Sequence, residues 1–260
     1  MPAPPLVVKF GGTSLGTARH LRRAARRVEA HVRRGRAVVV VVSAIGHTTD
    51  RILARVAAIG GAVPESAREA DRAAATGEAL SAALFAAALG GRGIRAVSLS
   101  GGEAGIRAEG PFGGGRIREV RPELLLRLLR EGAVPVVAGF QGIRADGETV
   151  TLGRGGSDTS AVALAAALGG SCHIVTDVHG VFPHDPRRVP GGTAFARLEH
   201  HELVRLAEGG AEVVHRSAAR VAEAQGVPLR VYSFRAPFRT PGGTRVGPAP
   251  AADPAARPAA

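Results

Sequence analysis

Lysine, cysteine and aromatic residues are nearly absent from this sequence. A single cysteine, Cys172, stands among 260 residues. It cannot form an internal disulfide, and a cluster of metal-bound thiolates is excluded with it. Aromatic residues make up 3% of the chain and tryptophan is missing, so the stacking platforms used to hold single-stranded nucleic acid are scarce. No unbroken apolar run approaches the roughly 20 residues that a membrane span requires. Residues 1–5 lack the charged-then-apolar layout of a secretory signal. The expectation is a cytoplasmic chain without a membrane or nucleic-acid partner.

The charge balance is strongly basic, +12 at neutral pH. Seven arginines between positions 22 and 36 alternate with Leu21, Ala24, Ala25, Val28 and Val32 at helical spacing, which describes an amphipathic helix with a solvated face rather than a nucleic-acid arm. The surplus charge favours anionic small molecules. Among 34 basic residues only Lys9 is a lysine. Because a compact ammonium on a flexible stem fits a tight phosphate site in a way that a planar guanidinium does not, Lys9 is the first candidate for chemistry.

Short apolar runs alternate with longer helical patterns, which predicts an α/β fold with a mostly parallel sheet. The runs at 6–10, 37–43, 94–99, 134–138, 172–176 and 229–232 read as strands, and 14–32, 49–59, 65–89, 122–130, 159–168 and 211–225 as helices. Residues 141–151, with Asp146-Gly147 near their middle, read as a hairpin added antiparallel to that sheet. No internal repeat is visible. The Pro-, Gly- and Ala-rich stretch 241–260 is expected to be disordered. A boundary near Thr151 divides residues 1–240 into two lobes, about 1–150 and 151–240, with a ligand cleft between them.

Three stretches carry chemistry. In Val7-Val8-Lys9-Phe10-Gly11-Gly12-Thr13-Ser14 a buried strand delivers the lysine into paired glycines at a helix start. Free backbone N–H groups, the helix dipole and a full positive charge together make an anion site there, although a plain strand-to-helix turn has the same local pattern. Gly153-Arg154-Gly155-Gly156-Ser157-Asp158 opens an Ala-rich helix. Arg154 can clamp a carboxylate while the turn's amides face phosphate; the plainer alternative is a helix capped by Ser157 or Asp158. Val42-Ser43-Ala44-Ile45-Gly46-His47-Thr48-Thr49 is again a strand running into small polar residues, and Ser43 and Thr49 can donate to an acidic substrate. The histidines at 179, 184, 200 and 201 follow no metal-ligand spacing, so no protein-held metal is expected.

Taken in order, these stretches, with Thr76-Gly77-Glu78, Gly139–Gly142 and the segment 176–187, resemble the catalytic region of aspartate kinases, within the amino acid kinase family. The resemblance spans positions 7 to 234 and implies an αβα sandwich, with an acidic amino acid held by the first lobe and ATP with Mg2+ by the second. It implies that Lys9, Gly11, Gly12 and Ser14 hold the transferring phosphoryl group, that Ser43, Thr49 and Ser157 contact the substrate, and that Glu78 pairs with the substrate's α-ammonium. Arg154 would clamp the α-carboxylate and Asp158 would position Lys9. Gly155, Gly156, Thr176, Asp177, Phe182 and Arg187 would line the nucleotide site. The family also implies a homodimer and a role in lysine biosynthesis. The alternatives are a divergent kinase of another acidic substrate and a degenerate one that binds without turnover.

The sequence departs from the family pattern mainly on the nucleotide side. Phe182 stands where a tyrosine is usual, and His179, Pro183 and His184 are unusual. Ala79 follows Gly77-Glu78 where an arginine is common, and the pair of regulatory ACT domains is lacking, so no inhibition by lysine or threonine is expected of the isolated chain. The largest departure is Glu212, which occupies the place of a phosphate-contacting lysine; Arg187 and Arg216 are the candidate substitutes. A carboxylate facing phosphate repels it, so Glu212→Lys is expected to leave ATP affinity unchanged or raise it in a titration. A large loss of affinity would give Glu212 a positive role.

Overall fold

The computed structural model describes residues 3–60, 63–184, 192–211, 213–237 and 242–248. The chain begins with strand β1 (Leu6–Phe10), a single 3-10 turn (Gly12–Leu15) and helix α1 (Ala18–Val32). The helix expected to start at Ser14 is thus broken after one turn. Thr17, with extended backbone, caps α1 by accepting from the His20 amide at 3.1 Å, the usual service of a threonine at a helix start. Strand β2 (Val38–Val42) and helices α2 (Thr48–Gly60) and α3 (Ala67–Gly90) follow.

Strands β3 (Ala96–Leu99), β4 (Ile106–Glu109) and β5 (Arg116–Val120) precede α4 (Glu123–Arg130), β6 (Val134–Ala138), β7 (Gln141–Ile143) and β8 (Thr149–Thr151). The rest comprises α5 (Gly156–Ala167), β9 (Ser171–Thr176), β10 (Arg197–Leu198), α6 (His200–Glu208), α7 (Arg216–Gln225), β11 (Leu229–Ser233) and β12 (Thr244–Val246).

Among the described residues, eight strands form one sheet in the order β10-β12-β11-β9-β1-β2-β6-β3, parallel except where β12 runs against β11. The two expected lobes therefore share a sheet, joined where β1 of the first half pairs with β9 of the second. Side chains alternate between two cores. Leu6, Val8 and Phe10 pack with α1 and α3 on one face, while Val7, Cys172, Ile174, Val231 and the apolar sides of α5, α6 and α7 fill the other. All five valines of β2 are buried, as expected of a central strand covered on both faces. This is the anticipated αβα sandwich.

The expected hairpin 141–151 exists as β7 and β8, but it is not an addition to the parallel sheet. It belongs to a separate four-stranded sheet, β5-β4-β7-β8. Strands β4 and β5 were not anticipated, because Arg116-Ile117-Arg118-Glu119-Val120 is largely exposed and presents no apolar run. Helix α6 was missed too; its start is set by a reciprocal capping box between Glu199 and Glu202. Helix α7 begins at Arg216 rather than 211. The stretch from 241 was expected to lack structure throughout, yet Thr244–Val246 pairs with β11 and β10.

The 27-residue segment Pro64–Gly90 is, among the described residues, the one helical stretch long and apolar enough to cross a membrane. It is instead a core helix, packed on β3, β6 and β8, and it carries Asp71 and Glu78 into the interior at 3% exposure each. Asp71 accepts from the amides of Gly113 (2.9 Å) and Thr151 (2.7 Å) and from the Thr151 hydroxyl (2.7 Å). It thereby ties the small sheet to α3. Removing a buried acceptor leaves several donors without partners, each at a cost of about 1–3 kcal/mol. Asp71→Ala is therefore expected to lower unfolding free energy by about 3 kcal/mol in chemical denaturation, and a loss under about 1 kcal/mol would contradict this account.

Candidate active site

Parallel sheets present ligands at the carboxyl ends of their strands, and the candidate residues converge there. Lys9, near the end of β1, reaches Asp158 in the first turn of α5; the Nζ to Oδ1 distance is 2.6 Å and both side chains are 12% exposed. Around this pair lies a cavity of about 690 Å3 lined by Ser43, Thr49, Arg154, Gly155, Gly156 and Ser157, all foreseen from the sequence. Asp71, Phe112, Phe140 and His215 line it as well and were not foreseen. A second cavity of about 750 Å3, bounded by Arg116, Arg216 and Arg220, shares Arg154 and His215 with the first.

Local backbone geometry explains how these groups meet. Helix α5 starts at Gly156, earlier than expected, because Gly155 turns the chain in the left-handed region at φ 71°. A Cβ at Gly155 would fall 2.0 Å from the His215 ring, so glycine is required by both conformation and space. Asp158 consequently sits within the helix rather than at its cap and faces Lys9. His215 caps α7 and meets the Ser217 hydroxyl at 2.6 Å. Gly12 has a packing role beside its expected one, since a Cβ there would lie 2.4 Å from the Ala44 carbonyl oxygen. The turn after β1 and the loop after β2 can touch only because of it.

Other predicted residues lie outside the cavity wall. Glu78 is one layer behind it: its Oε1 accepts from the Ala44 amide at 3.0 Å, and its Oε2 is buried without a partner among the described residues. Burial pushes its carboxyl up to about 7, against the pull of the Ala44 amide and the Thr49 hydroxyl. Gly11 lies beside the Lys9 ammonium and donates its amide to the Val175 carbonyl. Thr176 and Asp177 follow at the end of β9, hydrogen-bonded to each other at 3.0 Å. Ser14 is turned away; it lines a small cavity with Phe10, Arg27 and Phe234 under α1. Phe182 sits in the loop beyond β9 and lines neither cavity. Arg187 and Glu212 lie outside the described residues.

The profile of the amino acid kinase family matches residues 4–233. This chain belongs to the amino acid kinase family. Within that family it is 46% identical over 229 residues to the aspartokinase of Geobacillus stearothermophilus, a match covering 88% of this chain and 56% of that protein. Aspartokinase 2 of Bacillus subtilis is 45% identical over the same length, again 88% of this chain and 56% of that protein. The chain thus spans about half the length of the curated relatives it matches. Among solved structures, aspartate kinase from Synechocystis superposes with a TM-score of 0.79 at 42% identity, covering 95% of this chain and 40% of that one. E. coli aspartokinase III in complex with aspartate and ADP superposes with a TM-score of 0.83 at 28% identity, covering 94% and 64%.

In this amino acid kinase domain the buried Glu78 has a measurable signature. Its carboxyl titrates near 7 when folded against an ordinary value of 4.5. Its contribution is thus fully present below about 4.5 and is lost as pH rises through 7. Glu78→Gln, which cannot ionise, is expected to be more stable than the parent at pH 8 by up to about 3 kcal/mol and to match it at pH 4. Denaturation at both pH values checks this. An equal difference at the two would show that burial does not tune this carboxyl.

Proposed function

We propose that this chain is a catalytic region that transfers the γ-phosphoryl group of ATP to the side-chain carboxylate of L-aspartate, giving 4-phospho-L-aspartate and ADP. The observation that carries the reading is the Lys9 ammonium, held by Asp158 at 2.6 Å at the edge of a cavity that also contains Arg154, Ser43 and Thr49. A cation fixed for a phosphoryl group thus adjoins a guanidinium able to take a carboxylate in two-point fashion. Similarity to aspartokinases over 88% of the chain supports the choice of substrate.

The chemistry asks little of the protein in the way of proton transfer. A β-carboxylate with an ordinary pKa of about 3.9 is already ionised near neutrality, so its oxygen attacks phosphorus without a general base. As the new P–O bond forms, the bond to the bridging oxygen of ADP breaks and the leaving group carries the electron pair away. Lys9 neutralises charge on the equatorial oxygens, and Asp158 fixes its ammonium so that no reorganisation is needed at the moment of transfer. Arg154 orients the α-carboxylate. Glu78, given to the α-ammonium by the sequence resemblance, lies one layer behind the cavity wall and acts on the site through the Ala44 amide and the loop that carries Ser43 and Thr49. No group of three or more Asp, Glu, His or Cys side chains forms a metal cage among the described residues. Mg2+ belongs with the nucleotide's own phosphates.

The same reading places the protein in amino-acid biosynthesis leading to lysine, in the cytoplasm, as a homodimer. Leu80 and Leu84, one turn apart on α3 and 55% and 41% exposed, are an apolar pair suited to a second copy. Turnover is the decisive test. With L-aspartate, ATP and Mg2+, hydroxylamine is expected to trap a hydroxamate. Lys9→Met is expected to abolish it by a hundredfold or more in kcat, and Arg154→Ala to act mainly on the KM for aspartate. Glu212 motivates the second reading, binding without turnover. ADP release absent with every acidic amino acid, alongside retained ligand binding, would favour it.

A further inference from the structure

On the reverse face of the sheet from Lys9, register places four basic or ionisable side chains in one line. Arg197 of β10 lies opposite Arg245 of β12, Arg245 opposite Arg230 of β11, and Arg230 opposite His173 of β9. Residues in register across neighbouring strands project from the same face. At about 4.8 Å between strands, the three arginines span about 10 Å. Farther along the same row are Val8 and Val40, buried in the core on the side of α1 and α3. At the β10 edge, guanidinium groups occupy the positions that aliphatic side chains hold in the middle of the sheet.

Like charges placed directly opposite one another across strands are unfavourable. Among the described residues no carboxylate pairs with any of the three. The Arg197 guanidinium donates to the Gly247 carbonyl at 2.9 Å, and Arg230 Nε donates to the Gly242 carbonyl at 3.1 Å, so backbone oxygens aim the two groups without neutralising them. The row walls a cavity of about 360 Å3, completed by Ser171, His173 and Pro248, whose lining contains no Asp or Glu. Of two neighbouring imidazoles, His173 lines the cavity and His31 packs against it from α1. His31 of α1 meets His173 edge-on at 5.8 Å, and the Tyr232 hydroxyl lies 3.3 Å from His173 Nδ1. Burial, then the surrounding arginines, push His31 down to about 4; burial, then His31 and the arginines, push His173 down to about 3. Both rings are neutral at physiological pH and free of the repulsion a further cation would add.

From this geometry we infer that Arg197, Arg230 and Arg245 form a binding site for a small polyanion carrying two or more phosphate or carboxylate groups, separate from the catalytic cleft. The size and shape of the cavity suit a molecule rather than a polymer: it is about 360 Å3 in volume, near the lower end for small-ligand pockets. Guanidinium forks favour oxyanions that accept two parallel hydrogen bonds. This inference does not depend on the identity of the reaction at Lys9.

The test uses the whole chain and two probes, pyrophosphate and citrate, each titrated by calorimetry while the imidazole NMR signals of His31 and His173 are followed. A Lys9→Met, Arg154→Ala background removes anion binding in the cleft. The expected result is saturable one-to-one binding of at least one probe that shifts the His173 signal and persists in that background. Arg230→Gln with Arg245→Gln should weaken it at least tenfold and Arg197→Gln alone by a smaller factor, and the double variant should have a Tm no lower than the parent. The stronger probe tells phosphate chemistry from carboxylate chemistry. Three results would overturn the inference: no saturable binding of either probe, binding that survives the arginine substitutions, or binding abolished by the Lys9 and Arg154 changes. Capture of an acidic peptide or an oligonucleotide without affinity for either small probe would also defeat it.

Discussion

The arrangement of the whole molecule turns on one ion pair, Lys9 with Asp158. Each partner is 12% exposed, and withdrawing two charges from water carries a penalty of several kcal/mol per ion that their attraction does not reliably return. A pair of this kind is a poor device for holding a fold together. It is well placed for holding an ammonium still. Strand β1 carries the lysine at the centre of the sheet and α5 brings the carboxylate across the core face, so the position of the cation is fixed by two largely buried elements. Everything else at the cleft, from the loop after β2 to the glycine turn before α5, is arranged around that fixed point.

The contacts that shape the cleft come mainly from backbone approaching backbone. Gly12 lets the turn after β1 rest on the Ala44 carbonyl, and Gly155 lies flat against His215. Asp71 draws Gly113 and Thr151 toward α3. Each contact closes one side of the cavity, and each relies on a residue that makes no obvious gesture toward a ligand. The cavity is thus built by packing and furnished with only a few charged groups, which is how binding sites commonly combine shape with orientation.

Much of this was legible in the sequence. Lys9 stood out because every other basic residue is an arginine, and the turn around Arg154 because three glycines surround it. The central strands announced themselves as apolar runs, above all the five valines of β2. What escaped notice depends on long-range geometry. Strands β4 and β5 present no apolar run; Asp71 is one charge within an alanine-rich helix; His215 belongs to no motif. Ser14 belongs to a recognisable motif, but one tight turn aims it beneath α1 instead of into the cleft. The line of arginines across β10, β12 and β11 cannot be seen without strand register, because its members are 15 to 48 positions apart.

The position of β1 has a consequence for how the protein is made. Its two neighbours in the sheet come from opposite parts of the chain, Val38–Val42 soon after it and Ser171–Thr176 far downstream. During synthesis, one flank of the central strand emerges with its amides and carbonyls unsatisfied and stays so until well over half of the polypeptide has left the ribosome. An open, apolar strand edge is adhesive, and pairing between such distant segments is slow to form. The interval between these two events is the period in which the nascent chain most needs shielding from its neighbours.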